Sequence, residues 1–151
     1  MMVNLMGKQD MSDIISIISD IRELGRSFIL KKHTENGIND LDVSHGNILT
    51  LLYSNEKLQM KELSKKIKRG KSTVTVLISK LLKNGYIKKE QSTVDKRIFY
   101  ISLTEKSEKL RPLFFEISDE LNLKFSNILT DQEGQIFLDI SRKIVSSWDS
   151  F

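Results

Sequence analysis

The chain has 151 residues, no cysteine and a formal net charge of +4. Such a length carries one domain with a core, or a small domain with helices added for pairing. The lack of cysteine excludes disulfides, thiolate zinc sites and thiol redox switches, and no run approaches the roughly 20 apolar residues of a membrane span.

The charge is unevenly placed. From Glu56 to Arg111 there are 16 Lys/Arg against 6 Asp/Glu, a local balance of +10 that leaves the rest of the chain at −6. A basic middle between acidic ends points to a polyanion-binding surface. A solvated lysine face would have the same composition, so the charge needs a fold beside it.

Met1–Asp10 lacks the charged start and apolar centre of a signal peptide and is expected to be a flexible N-terminus, which fits a cytoplasmic location. From Met11 to Lys32, Ile14, Ile17, Ile21, Leu24 and Phe28 recur at 3-4-3-4 spacing, and Ile15, Ile18 and Ile29 widen that stripe. Asp10 or Ser12 is the candidate cap for this helix. His33–Asp40 reads as a loop. Asp42 is placed to cap a short helix carrying Val43, Ile48, Leu49, Leu51 and Leu52 and ending near Tyr53–Asn55, and Met60–Ile67 reads as a second. Lys68-Arg69-Gly70 is a break in which Gly70 can take a positive φ. A third helix is expected from Lys71 to Asn84, burying Val74, Leu77, Ile78 and Leu81, with Gly85 as its left-handed cap.

Tyr86–Glu90 and Arg97–Leu103 read as strands of a hairpin whose loop is Gln91–Lys96. Thr104 is expected to cap a long helix through Leu110, Phe114, Ile117, Leu121, Phe125 and Ile128, kinked or delayed at Pro112. Thr130 and Glu133 have capping-box spacing and open a last helix with Ile136, Ile140, Ile144 and Trp148. The fold class is therefore mainly α (α+β): a winged helix-turn-helix with a two-stranded β-hairpin wing, flanked by N- and C-terminal dimerisation helices. The division is 1–10 flexible, 11–40 first dimerisation helix and loop, 41–103 DNA-binding domain, and 104–151 the two C-terminal dimerisation helices.

In a helix-turn-helix the second helix enters the major groove with its early exposed residues against the bases. Here those residues are Lys71, Ser72, Thr73, Thr75, Val76, Ser79 and Lys80. Hydroxyls bond base edges or phosphates, and Val76 suits a thymine methyl. Lys65, Lys66, Lys68, Arg69 and Lys71 crowd the turn, where they are placed for phosphates. On the wing, Lys96 and Arg97 are the groove-facing candidates, and Asp95 supports Arg97 by a charge-assisted bond. Any one of these serines and threonines taken alone is an ordinary capping residue. The set beside a basic turn and a hairpin is not.

Leu41–Lys109 resembles the multiple antibiotic resistance regulator (MarR) family. The matching pieces are His45-Gly-Asn-Ile-Leu49, Met60-Lys-Glu-Leu-Ser64, Lys71-Ser-Thr-Val-Thr75, Asn84-Gly85-Tyr86, Asp95-Lys-Arg97 and Leu103-Thr-Glu-Lys106. The resemblance implies an obligate homodimer with intertwined terminal helices, two wings straddling a pseudo-palindromic operator in double-stranded DNA, and repression relieved by a small lipophilic or anionic ligand. Two positions depart from the pattern: Val76 stands where many members carry Arg or Lys, and Ser107 where glycine is usual. No cofactor is expected. His33 and His45 lack metal-ligand spacing, so neither is assigned to a metal. A ligand pocket is expected among the first helix, the 42–55 helix and the base of the long helix, where Phe28, Tyr53, Phe114 and Trp148 read first as core.

No nucleophile with a paired base, phosphate loop or carboxylate pair suggests an enzyme. The competing reading is a winged-helix protein–protein interaction module without DNA binding, and the +10 balance of the middle argues against it.

Overall fold

The computed structural model describes residues 8–67 and 69–148, so most of the expected flexible segment and Lys68 lie outside the described residues. In chain order the elements are α1 (Lys8–Glu35), α2 (Val43–Tyr53), β1 (Leu58–Gln59), α3 (Met60–Ile67), α4 (Lys71–Lys83), β2 (Ile87–Gln91), β3 (Phe99–Leu103), α5 (Glu105–Ser126) and α6 (Asp131–Ser147). The chain divides into two compact units, one ending at Phe114 and one beginning at Phe115.

Helix α1 outruns its expected ends. Asp10 and Ser12 therefore lie inside it rather than at its cap, and His33 belongs to its last turns rather than to a loop. Nothing between Lys32 and Asn36 breaks a helix, so the chain continues until Gly37 takes φ 75°. Ile38 N–H then donates to His33 O (2.8 Å) and Gly37 N–H to Thr34 O (3.0 Å), a Schellman motif that satisfies the open carbonyls. Gly85, at φ 70°, closes α4 in the same way, with Tyr86 N–H donating to Leu81 O at 2.9 Å.

Gly70 behaves differently from the expectation. Its φ of −58° and ψ of 149° make it the extended N-cap of α4, and Val74 N–H donates to its carbonyl at 3.1 Å. The break before α4 needs an entry geometry, which any residue can adopt.

The expected two-stranded hairpin is formed by β2 and β3, and β1 adds a third antiparallel strand to give the order β1-β3-β2. Leu58 pairs with Ile101 and Gln59 with Tyr100, while the hairpin runs in register from Ile87–Leu103 to Gln91–Phe99. Ile48, Leu49, Leu63, Val74, Leu81 and Ile101 are fully buried beneath it. These come from α2, α3, α4 and β3, so one core fixes the helix-turn-helix to the wing.

Thr104 precedes α5 as expected, its carbonyl accepting from Glu108 N–H at 3.0 Å, and its hydroxyl donates back to Gly85 O (2.7 Å) and Tyr86 O (3.2 Å). Pro112 does not delay α5, which is continuous from Glu105; the proline only leaves the Glu108 carbonyl without its i+4 donor. In the second unit Thr130 and Glu133 form the expected capping box, Thr130 N–H donating to Glu133 Oε2 at 2.8 Å and Glu133 N–H to Thr130 Oγ1 at 3.3 Å. None of α6 is buried in the single chain.

Candidate nucleic-acid interface

Helix α4 buries Val74, Ile78 and Leu81, spaced 4 and then 3 apart, and so turns its opposite face outward. Ser72, Thr73, Val76, Ser79 and Lys80 are exposed on that side, Thr75 is exposed at its edge, and Lys71 is exposed in the first turn on the flank nearer the buried stripe. Ser72, Val76 and Ser79 form its central line, which continues to exposed Lys83, a residue that reading from the helix start alone overlooks.

The hydroxyls differ in what they offer. Thr75 Oγ1 donates to Lys71 O at 2.8 Å, so its proton is committed within the helix and only its acceptor capacity remains. Ser72, Thr73 and Ser79 make no internal side-chain hydrogen bond among the described residues. Val76 is 69% exposed, an apolar side chain held in water by the outer face of a helix. Lys65 and Lys66 in the last turn of α3 and Arg69 beyond it are exposed, placing cations around the entry to α4.

The wing tip is an ordered turn. Ser92 N–H donates to Ile98 O and Ile98 N–H to Asp95 O, both at 2.9 Å, while Ser92 Oγ accepts from the Val94 and Asp95 amides at 3.3 Å. Asp95 Oδ1 accepts from the Arg97 amide at 2.9 Å and from its Nε at 3.2 Å. The Arg97 backbone and side-chain bonds hold the Asp95 carboxyl below its ordinary pKa. Even so tethered, the Arg97 side chain is 91% exposed. Lys96 is exposed beside it, and Gln91 donates its side-chain amide to Lys96 O across the base of the loop. The α4 face and the wing tip are separate positions of one unit; among the described residues no hydrogen bond or ion pair joins them.

Both histidines have structural surroundings. His45 Nδ1 accepts from Asp42 N–H at 3.0 Å, which fixes the start of α2, and burial holds its pKa below the ordinary value. His33 is 1% exposed, stacks obliquely on Phe114 at 5.2 Å and is also lowered by burial. Among the described residues no group of three His, Cys, Asp or Glu could hold a metal. At the expected ligand pocket, Tyr53 and Phe114 are buried and packed edge to face at 5.8 Å, and Tyr53 OH donates to Ser107 O at 2.8 Å. Trp148 is 68% exposed and so is not core in the single chain.

A helix-turn-helix with a basic turn, an outward hydroxyl face and a hairpin bearing an extended arginine defines a winged helix-turn-helix protein. The model of the MarR family matches residues 41–99, which span α2 through the start of β3. Over that segment the chain is similar to the MarR family. It is 27% identical over 123 residues to the HTH-type transcriptional regulator SarZ of Staphylococcus haemolyticus, covering 82% of this chain and 79% of that one. A MarR transcriptional regulator from Methanosarcina mazei superposes with a TM-score of 0.74 at 26% identity, over 93% of this chain and 99% of its own. The Staphylococcus aureus MepR–DNA complex has the same fold, with a TM-score of 0.79 at 23% identity over 87% of this chain and 96% of that one. The Staphylococcus haemolyticus and Methanosarcina mazei relatives are transcriptional regulators, the class the sequence favours over an enzyme.

Proposed function

We propose that the chain acts as a homodimeric, DNA-binding transcriptional regulator. In each copy α4 reads the major groove of one operator half-site and Arg97 enters the adjoining minor groove. The observation that carries this reading is the outer face of α4, where free hydroxyls, Val76 and flanking lysines stand together on a helix whose other side is locked into the core. DNA is also the partner in the solved complex of MepR, a protein of the same fold.

The second copy is supported by apolar surface that one chain leaves in water. In the first unit Ile15, Ile17, Ile18 and Leu24 of α1 are about half exposed or more, and in the second unit so are Ile136 and Ile140 of α6 and Trp148 just beyond it. Pairing two copies covers such surface and sets a fixed spacing between two recognition helices. No described helix is long and apolar enough to cross a membrane. A cytoplasmic protein of this kind is expected to release its operator on binding a small lipophilic or anionic effector.

Selection of bound fragments from genomic DNA tests the reading. The expected product is a pseudo-palindrome with half-sites about one helical turn apart. Its affinity, on the order of nanomolar, falls steeply with salt. Sedimentation of the free protein should give a dimer. If no fragment is retained at low salt, the protein–protein interaction module takes the place of this reading.

A further inference from the structure

The C-terminal corner of α4 is held by a residue from outside the helix-turn-helix. Asp40, in the loop between α1 and α2, accepts from Asn84 Nδ2 at 2.9 Å on one carboxylate oxygen and from Tyr86 OH at 2.7 Å on the other. Asn84 and Tyr86 flank Gly85, the left-handed cap that ends α4. One carboxylate thus clasps the C-cap residue of the helix and the residue just beyond its left-handed glycine.

The loop that carries Asp40 is itself fixed to α1. Ile38 and Leu41 on either side of Asp40 are buried, at 6% and 5% exposure. Gly37 closes α1 through its Schellman bonds, and Asp42 pairs with Arg26 of α1 at 3.0 Å. A rigid path therefore runs from α1 through Asp40 to the end of α4. On its other side the same corner meets the start of α5. Lys106 Nζ donates to Asn84 O at 2.9 Å and lies 3.7 Å from the Tyr86 ring centre, and Ser107 Oγ donates to Tyr86 O.

We propose that Asp40 is a positioning residue for DNA recognition: by clasping Asn84 and Tyr86 it fixes the angle of α4 relative to α1, and so the spacing of the two recognition helices in the dimer. The proposal rests on the reading of α4 as the recognition helix of a homodimer. Two charge-assisted bonds to opposite oxygens of one carboxylate restrain rotation of the helix end about the loop as well as its distance. Losing them frees the corner on the α1 side while the α5 side and the core keep the helix folded. Helices held at a fixed angle accept one half-site spacing; helices free to swing accept several.

The test measures full-length protein on its selected operator and on operators with one base pair added or removed between the half-sites, which turns one half-site by roughly 34° relative to the other. Wild type is expected to bind the altered spacings about 30-fold more weakly than the native one. Asp40→Ala should bind the native operator about 10-fold more weakly and show a ratio between spacings that collapses to about 3-fold or less. Its dimer mass and helix content should not change. General destabilisation would weaken all operators alike and leave the ratio intact. The double variant Tyr86→Phe/Asn84→Ala removes both donors while keeping Asp40, and it should collapse the ratio in the same way, deciding the matter if Asp40→Ala does not fold. A folded variant of either kind with the wild-type ratio overturns the clasp and leaves the DNA-binding reading standing. Wild-type protein that retains no duplex overturns both.

Discussion

Arg97→Ala is the most direct probe of the wing. The side chain is 91% exposed, and its one partner among the described residues is Asp95. Asp95 keeps its bond from the residue-97 amide at 2.9 Å after truncation, and Ser92 keeps the turn closed through Ile98. Nothing in the core is lost, so Tm should stay within about 2 °C of wild type. The whole effect should fall on DNA. An arginine withdrawn from the minor groove is expected to weaken each half-site about 10-fold, hence roughly 100-fold for a dimer with two wings. Log affinity against log salt should flatten by about 2, one released counterion for each wing. Fluorescence anisotropy of a labelled operator between low and moderate salt gives both quantities. Arg97→Lys sharpens the experiment: it keeps the charge and most of the salt slope but loses the planar fork. An alanine variant with wild-type affinity and slope, or one that loses its thermal stability, refutes the assignment of Arg97 to the groove.

Gly85→Ala should cost about 1–2 kcal/mol in thermal or denaturant melts, all of it conformational, because φ is 70° and an added Cβ meets nothing within 4 Å. Gly70→Ser should instead stabilise by a few tenths of a kcal/mol, since φ is −58° and serine is the better N-cap. Leu63→Ala, at 0% exposure in α3, should lose about 2–5 kcal/mol in a urea titration. Burial holds His33 and His45 below their ordinary value of 6.5. The unfolded chain takes up those protons first, so stability is full above about pH 6.5 and is lost as pH falls through the lower folded-state values. Melts from pH 8 to 5 should show that fall, and the slope should be shallower in His33→Leu; equal slopes would mean that His33 is not held neutral.

Long periodic features were readable from the chain, while features made by distant partners were not. The bounds of α3 and the outer face of α4 follow from Met60, Leu63 and Ile67 and from Val74, Ile78 and Leu81, which place their own burial stripes. Strand β1 has two residues, too few for any period, and exists only because Ile101 and Tyr100 offer an edge to pair with. Gly70 and Gly85 look alike as letters; the difference is that Gly85 must reverse the chain under a finished helix, whereas Gly70 only has to enter one. Ser107 is read from the sequence only as a departure from the pattern of the family it resembles. It is fully buried, donating to Tyr86 O and accepting from Tyr53 OH, a role set by residues 21 and 54 positions away. Asp40 escaped notice for the same reason: a polar loop residue gives no local sign that both ends of a cap will reach for it.

Val76 shows how affinity and selectivity separate on the proposed reading. A cation at this exposed position would add a phosphate contact of equal strength on every sequence, raising specific and non-specific binding together. A valine adds nothing to non-specific binding. On the right base it covers a thymine methyl, a contact that other base pairs do not offer in the major groove. The turn cations Lys65, Lys66 and Arg69 still supply charge around the entry to α4, so the loss of one cation lowers total affinity without removing the attraction to the backbone. Substituting lysine at position 76 should therefore raise affinity for random duplex more than for the operator, and an operator whose contacted thymine is replaced by deoxyuridine should lose affinity with wild type but not with Val76→Ala. A deoxyuridine effect that persists in the alanine variant would move the methyl contact to another residue.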